Sequence, residues 1–271
     1  MAIQWYPGHM HKLKATLKST LPLVDVVLEV VDARAPISSR NPMLDEILGK
    51  KPRIILLNKA ELADPNMLHE WQEFFKTKKK YKSLAISAKT RTNLDRIKGE
   101  IQQIFKSKEQ QRLRNPRALI IGVPNCGKST IINALAREHR AKAANQPGVT
   151  KQVTLYHAQS VDIYDTPGLL WPNLEDQEAA ARLAVLAAVR DEVYHPSEAF
   201  ASVYLFLKSH YADRLIERYK IPLHDNAHDY LIALTTTLNK KDIEATALLL
   251  FNDLRGGKLG RFCLERPPYV T

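Results

Sequence analysis

Gly122-Val123-Pro124-Asn125-Cys126-Gly127-Lys128-Ser129 fills every fixed position of the pattern G-x-x-x-x-G-K-[ST]. Such a loop works only between a strand and a helix start, where backbone N–H groups and the positive end of the helix dipole converge on a polyphosphate. The flanks agree: residues 118–121 are a short apolar run of strand type, and residues 130–136 place apolar side chains at helical spacing. Asn125, Cys126, Gly127, Lys128, Ser129 and Thr130 are therefore candidate phosphate-side contacts. Lys128 bridges the outer phosphates in this reading, and the Ser129 hydroxyl reaches Mg²⁺.

A chain of 271 residues can bury a full core around this unit and still carry a second, smaller one. Its two cysteines, Cys126 and Cys263, are too few and too badly placed for a disulfide framework, and no apolar run approaches membrane-spanning length. With no secretory signal, the expectation is a soluble, cytoplasmic protein. The net charge of +11 is uneven: residues 1–120 hold 23 Lys and Arg against 12 Asp and Glu, whereas residues 121–271 hold 17 against 17. That asymmetry favours an anionic partner beyond a nucleotide, RNA above all, although solvated surface charge explains any single cluster equally well.

The start, Trp5-Tyr6-Pro7-Gly8-His9-Met10-His11-Lys12, joins aromatics, a Pro-Gly turn and two histidines to a basic helical segment; a lone histidine such as His9 is more often structural than catalytic. Residues 23–31 read as a buried parallel strand ending at Asp32-Ala33-Arg34, and residues 41–48 as a short helix. A second strand, residues 54–57, runs into Asn58-Lys59-Ala60-Glu61. In GTP-binding proteins an Asn-Lys-x-Asp at a strand end reads guanine, because one carboxylate accepts from the ring N1–H and the exocyclic amine together. Glu61 supplies that carboxylate one methylene further out. After a helix at residues 68–75 and the basic run 76–82, the strand 84–86 delivers Ser87-Ala88-Lys89, the companion signature whose backbone amide donates to guanine O6. The candidate base contacts are thus Asn58, Lys59, Ala60 and Glu61 with Ile86, Ser87, Ala88 and Lys89.

Beyond the helix 94–105, a basic connector and the phosphate loop, Pro147-Gly148-Val149-Thr150 presents Thr150 as a switch residue whose hydroxyl and carbonyl suit Mg²⁺ and the γ-phosphate. Asp165-Thr166-Pro167-Gly168 matches Asp-x-x-Gly, with Asp165 holding Mg²⁺ through water and the Gly168 amide sensing the γ-phosphate. Leu169 stands where many GTPases place a water-orienting Gln. From about residue 175 the pattern is helical throughout, with segments at 176–190, 198–208, 212–219, 228–238 and 242–254, a Gly256-Gly257 stop and a basic tail.

Asn239-Lys240-Lys241-Asp242 matches the guanine motif literally and sits downstream of Asp165, where an ordinary G domain keeps it. The residues before it end a helix and no Ser-Ala-Lys follows, so the upstream copy is preferred. Guanine motifs then precede phosphate motifs, and the G domain is circularly permuted. The expected fold is an α/β P-loop NTPase G domain of three α/β/α layers over residues 1–175, with an all-α C-terminal domain over 176–271.

Taken with the Tyr6-Pro7-Gly8-His9-Met10 opening, Asp32-Ala33-Arg34 and the tail Arg255-Gly256-Gly257-Lys258-Leu259-Gly260, these motifs give a chain that resembles the circularly permuted GTPases of the ribosome biogenesis GTPase A type. The resemblance implies GTP hydrolysis to GDP during assembly of the large ribosomal subunit and a helical domain engaging rRNA; no membrane or DNA partner is expected. It also implies a catalytic role for His9 and K⁺ stimulation through Asn125. Glu61 departs from the family's Asp. The rivals are a nucleotide-gated RNA-binding module in which hydrolysis is incidental, and an ATP-using enzyme.

Overall fold

The computed structural model describes residues 8–106, 114–136, 143–144, 153–158, 160–166, 168 and 176–268; for residues 8–13 and 143–144 it describes the backbone alone. Among these residues seven strands form one sheet: β1 (Val26–Asp32), β2 (Arg53–Asn58), β3 (Lys82–Ala85), β4 (Arg117–Gly122), β5 (Ala143–Ala144), β6 (Thr154–Ala158) and β7 (Val161–Asp165). Their order is β3-β2-β1-β4-β7-β6-β5. The first five in that order run parallel, and β6 and β5 turn antiparallel at one edge.

Every residue of β1 is buried, because a central parallel strand is covered on both faces. Side-chain alternation sorts the core into two: Val26, Leu28 and Val30 of β1 join Ala118 and Ile120 of β4 on one face, while Val27, Leu119 and Ile121 face the other. The second face is roofed by Leu17 of α1 (Gly8–Thr20) and by Leu44 and Leu48 of α2 (Met43–Leu48). The first carries α3 (Pro65–Thr77), α4 (Leu94–Lys106) and α5 (Lys128–Ala136), so helices cover both sides of the sheet. Asp64 caps α3 by accepting from the Asn66 and Met67 amides, with Pro65 at the first helical position where its missing N–H costs nothing.

Four helices follow: α6 (Gln177–Val185), α7 (Pro196–Tyr219), α8 (Ala227–Thr237) and α9 (Ile243–Arg255). The first is shorter than its apolar pattern suggests, since Ala187 turns left-handed (φ 60°) just beyond it. The segments expected at 198–208 and 212–219 are one run broken at Tyr211, whose φ of −139° is not helical. The same contiguous core that fills the first face of the sheet continues through α6 to α9.

The tail does not hang free. Phe262 donates its N–H to the Leu62 carbonyl, Cys263 to the Tyr211 hydroxyl and Leu264 to the Arg34 carbonyl. Glu265, buried, accepts from the Ile37 and Ser38 amides and the Ser38 hydroxyl, and Arg182 of α6 lies 3.6 Å from it. Burial pushes the Glu265 carboxyl up despite these donors.

Candidate functional site

The sheet reverses its winding between β1 and β4, so the loop after β4 opens at a topological switch point, where ligands of parallel sheets bind. Residues 122–129 curl there into the start of α5. Gly127 adopts φ 103°, and a Cβ at that position would lie 2.2 Å from the Asn58 amide nitrogen, so glycine is needed on two counts. The Lys128 amine is buried and folds back over its own loop, donating to the Gly122 and Val123 carbonyls at 2.9 and 3.0 Å. Ser129 and Thr130 stay exposed beside it.

Asn58 ties the phosphate loop to the guanine motifs. Its Nδ2 donates to the Cys126 carbonyl at 2.8 Å, and its Oδ1 accepts from the Ala88 amide at 3.0 Å. Ala60 N–H donates to the Ile86 carbonyl, and the Ser87 hydroxyl accepts from Thr90 N–H to hold its turn. Lys59 takes a left-handed φ of 63° and pairs with Asp32 at 2.9 Å. Burial pushes Asp32 up, but Arg34 and Lys59 outweigh it and its carboxyl lies far below the usual carboxylate range.

These residues enclose one cleft of about 330 Å³, whose wall includes Asn58, Lys59, Glu61, Ala88 and Lys89 from the guanine motifs and Asn125, Gly127 and Thr130 from the phosphate loop. Glu61 Oε2 is buried with no hydrogen-bond partner among the described residues. A buried bare acceptor is costly until a donor arrives. Asp242 of the downstream Asn-Lys-x-Asp copy is otherwise employed: it caps α9 by accepting from Ala245 N–H at 2.8 Å.

At the far end, Asp165 closes β7 beside the loop. Its Oδ1 is buried without a partner among the described residues, and burial raises its pKa against the opposing pull of Lys128. An orphaned carboxylate oxygen at the end of β7, which pairs with the strand leading into the phosphate loop, and the exposed Ser129 at the start of α5 fit the donor set of a hard divalent cation. Gly168 approaches the phosphate loop so closely that a Cβ would meet Pro124 Cα at 2.9 Å. Thr150, Leu169 and the rest of the two switch segments except Asp165, Thr166 and Gly168 lie outside the described residues. His9 lies in the first turn of α1, in a helix rather than a loop, and its side chain is likewise outside.

Five wall residues, Leu62 among them, were not among the candidate contacts. Arg34 follows β1, while Leu186, Ala187 and Arg255 come from the helical part. Ala187 O accepts from Asn125 Nδ2 at 2.6 Å, and Arg255 holds the turn by donating to the Val185 and Ala184 carbonyls at 2.8 and 2.7 Å. Periodicity gives no signal for such contacts, since they join residues 62 to 71 positions apart.

Among the basic side chains that could face an anionic partner, Arg114 is committed to Asp25 and Lys258 pairs with Asp253. Lys78, Lys79 and Lys80 are exposed at the end of α3.

Residues 117–236 match the family described as 50S ribosome-binding GTPase. That match begins at β4 and leaves the guanine motifs upstream, as a permuted order requires. The chain is 38% identical to Ribosome biogenesis GTPase A of Bacillus cereus over 98% of this chain and 95% of the relative. To the protein of that name from Thermotoga maritima it is 34% identical over 99% and 96%. Among solved structures, GDP-bound TM YlqF is 30% identical and superposes with a TM-score of 0.64 over 93% of this chain and 99% of that one. GNP-bound YlqF from T. maritima, 29% identical, gives 0.64 over 96% and 100%.

Proposed function

This chain belongs to the ribosome biogenesis GTPase A family, and from that premise we propose that it binds GTP in the cleft beneath Asn58, hydrolyses it to GDP, and uses the cycle to bind and leave a precursor of the large ribosomal subunit through rRNA. The observation that carries the reading is the Asn58 side chain, which joins the phosphate loop and the Ser87-Ala88-Lys89 turn into one pocket whose wall includes Glu61, with Oε2 unpartnered among the described residues.

In the proposed cycle the guanine base lies against Ala60, Ile86, Ala88 and Lys89, and Glu61 accepts from its N1–H and amine. The Lys128 amine leaves the Gly122 and Val123 carbonyls for the outer phosphates, a swap of neutral acceptors for charged ones that strengthens each bond. Ser129 and Asp165, joined by Thr150, would hold Mg²⁺, which when bound draws charge from the β- and γ-phosphate oxygens. Gly168 brings its N–H to the γ-phosphate edge, and its proximity to Pro124 supports that role. Asn125 has its amide nitrogen committed to Ala187, which leaves Oδ1 as the amide atom able to face K⁺. His9 positions the attacking water for in-line displacement. Residues 1–175 carry the nucleotide chemistry, residues 176–271 with the Lys78–Lys80 cluster carry the ribosomal contact, and the cytoplasm is the working compartment.

The test is single-turnover GTP hydrolysis with and without large-subunit particles, alongside Lys128→Ala and His9→Ala. Loss of nucleotide binding in Lys128→Ala, and a fall in rate of at least about tenfold with affinity kept in His9→Ala, are expected. ATP competing equally with GTP would overturn the guanine assignment, and hydrolysis indifferent to ribosomal particles would favour a nucleotide-gated binding module.

A further inference from the structure

Among the described residues Arg34 is the largest charged side chain sealed inside the protein, 1% exposed, and its guanidinium is only partly spent. Nε and Nη2 form a two-pronged pair with Asp32 at 2.9 and 2.8 Å, and the Phe262 ring lies under the guanidinium with its centroid 5.4 Å from Cζ. The remaining arm, Nη1, is buried with no hydrogen-bond partner among the described residues. A buried donor left bare costs free energy comparable to that of a lost hydrogen bond, and charged donors cost more. Glu61 Oε2 is a buried bare acceptor, and both residues belong to the wall of the same cleft. One unsatisfied donor and one unsatisfied acceptor, of opposite charge, thus share the base end of the pocket.

The geometry points to Arg34 as a specificity-determining residue of the guanine pocket: on base binding its spare Nη1 grips the Glu61 carboxylate and aims it at the N1–H and 2-amino groups. A carboxylate has about four acceptor sites, so Glu61 can take Nη1 and both guanine donors together. The role answers a problem particular to this chain. Glutamate carries one more rotatable bond than aspartate and is worse fixed from its own backbone, and a fixed external donor supplies the missing restraint. Arg34 is itself fixed by Asp32, Phe262 and the Leu264 N–H on its carbonyl, so the C-terminal tail takes part in base selection. Burial works against the Arg34 charge, yet Asp32 and, more weakly, Glu61 hold its pKa above the ordinary arginine value.

This rests on the assignment of Glu61 to guanine, and inosine diphosphate, which lacks only the 2-amino group, tests the two separately. The full chain is titrated with GDP and IDP, and the ratio of affinities is read; an unfolded fraction cancels from it. Glu61→Gln should collapse the ratio, and if it does not, the Glu61 assignment itself fails. Arg34→Lys keeps a cation beside Asp32 but withdraws Nη1, and should lower the ratio by about tenfold, the value of one hydrogen bond to a charged group. In a Glu61→Asp background the same change should leave the ratio within about twofold, because the shorter arm needs no external aim. Phe262→Leu, which leaves the Asp32 pair in place, should move the ratio the same way by less, and serves if Arg34→Lys does not fold. A ratio that Arg34→Lys leaves intact while both affinities fall, or an equal loss with Asp at position 61, overturns the proposal.

Discussion

Asn58→Asp and Asn58→Ala differ at the point where the two halves of the pocket meet, and their order decides whether the side chain acts as described. Alanine removes both hydrogen bonds, the one to the Cys126 carbonyl and the one from the Ala88 amide. At about 1 kcal/mol net each, with water entering the open cleft to replace part of them, the loss is about 2 kcal/mol, or about 30-fold in Kd for GDP. Aspartate keeps an acceptor for Ala88 N–H. It also sets a carboxylate oxygen where a donor stood 2.8 Å from the Cys126 carbonyl, and adds a negative charge to a site that must receive a polyphosphate. The carbonyl facing a carboxylate costs about 1–3 kcal/mol, or about 5- to 160-fold, and the charge beside a polyphosphate adds to it, so the loss exceeds that of alanine. Counting retained bonds gives the opposite order, with aspartate the milder change. Isothermal titration with GDP and Mg²⁺, checked by thermal melts for folding, reads the order directly. Aspartate binding GDP more tightly than alanine, or within about threefold of the unaltered chain, would refute the bridging role.

Glu29, 1% exposed at the centre of β1, accepts from Arg40 at 2.8 Å and Arg53 at 3.1 Å. Glu29→Gln leaves two buried arginines with Asp45 as their shared counter-charge, at about 3 kcal/mol, and since unfolding entropy is about 2.1 cal/mol/K per residue, Tm should fall by about 5 °C in calorimetry; a fall under about 2 °C would contradict this. Asp165, whose pKa is raised by burial, weakens the nucleotide-free fold once it is ionised, so Asp165→Asn should raise Tm at pH 7, with the gain vanishing as the pH falls toward the ordinary carboxylate value of 3.8. The same variant should lose the Mg²⁺-dependent part of GTP affinity, and an unchanged Mg²⁺ response would remove Asp165 from the cation site. If Lys78 to Lys80 touch rRNA, changing all three to Glu should flatten the slope of log K against log[salt] for ribosomal particles by about 2, at about 0.7 per phosphate contact, with GTP affinity untouched. An unchanged slope would leave that cluster a solvated helix end.

Sequence by itself determined the parts of this protein whose physics is local. The phosphate loop is legible because Gly127, Lys128 and the strand and helix around them must be contiguous to work, and β1, β2 and β4 are legible because strands buried on both faces read as apolar runs, interrupted within β1 by Glu29. The choice between two Asn-Lys motifs was also local: Asp242 stands one residue before a helix and behaves as its cap, whereas Glu61 follows a strand. Tertiary structure decided what depends on residues far apart in the chain. Asn58 meets Cys126 across 68 positions, Ala187 meets Asn125 across 62, and Leu264 of the tail meets Arg34. Neither period nor composition encodes such meetings, because they are set by the order of strands in the sheet and by where α6 to α9 dock on it. Arg34 illustrates the division. In sequence it closes the Asp32-Ala33-Arg34 motif with no role attached to it. Only the fold buries it, spends two of its arms on Asp32 and leaves the third in the wall of the cleft that also holds Glu61, whose Oε2, like that arm, has no hydrogen-bond partner among the described residues.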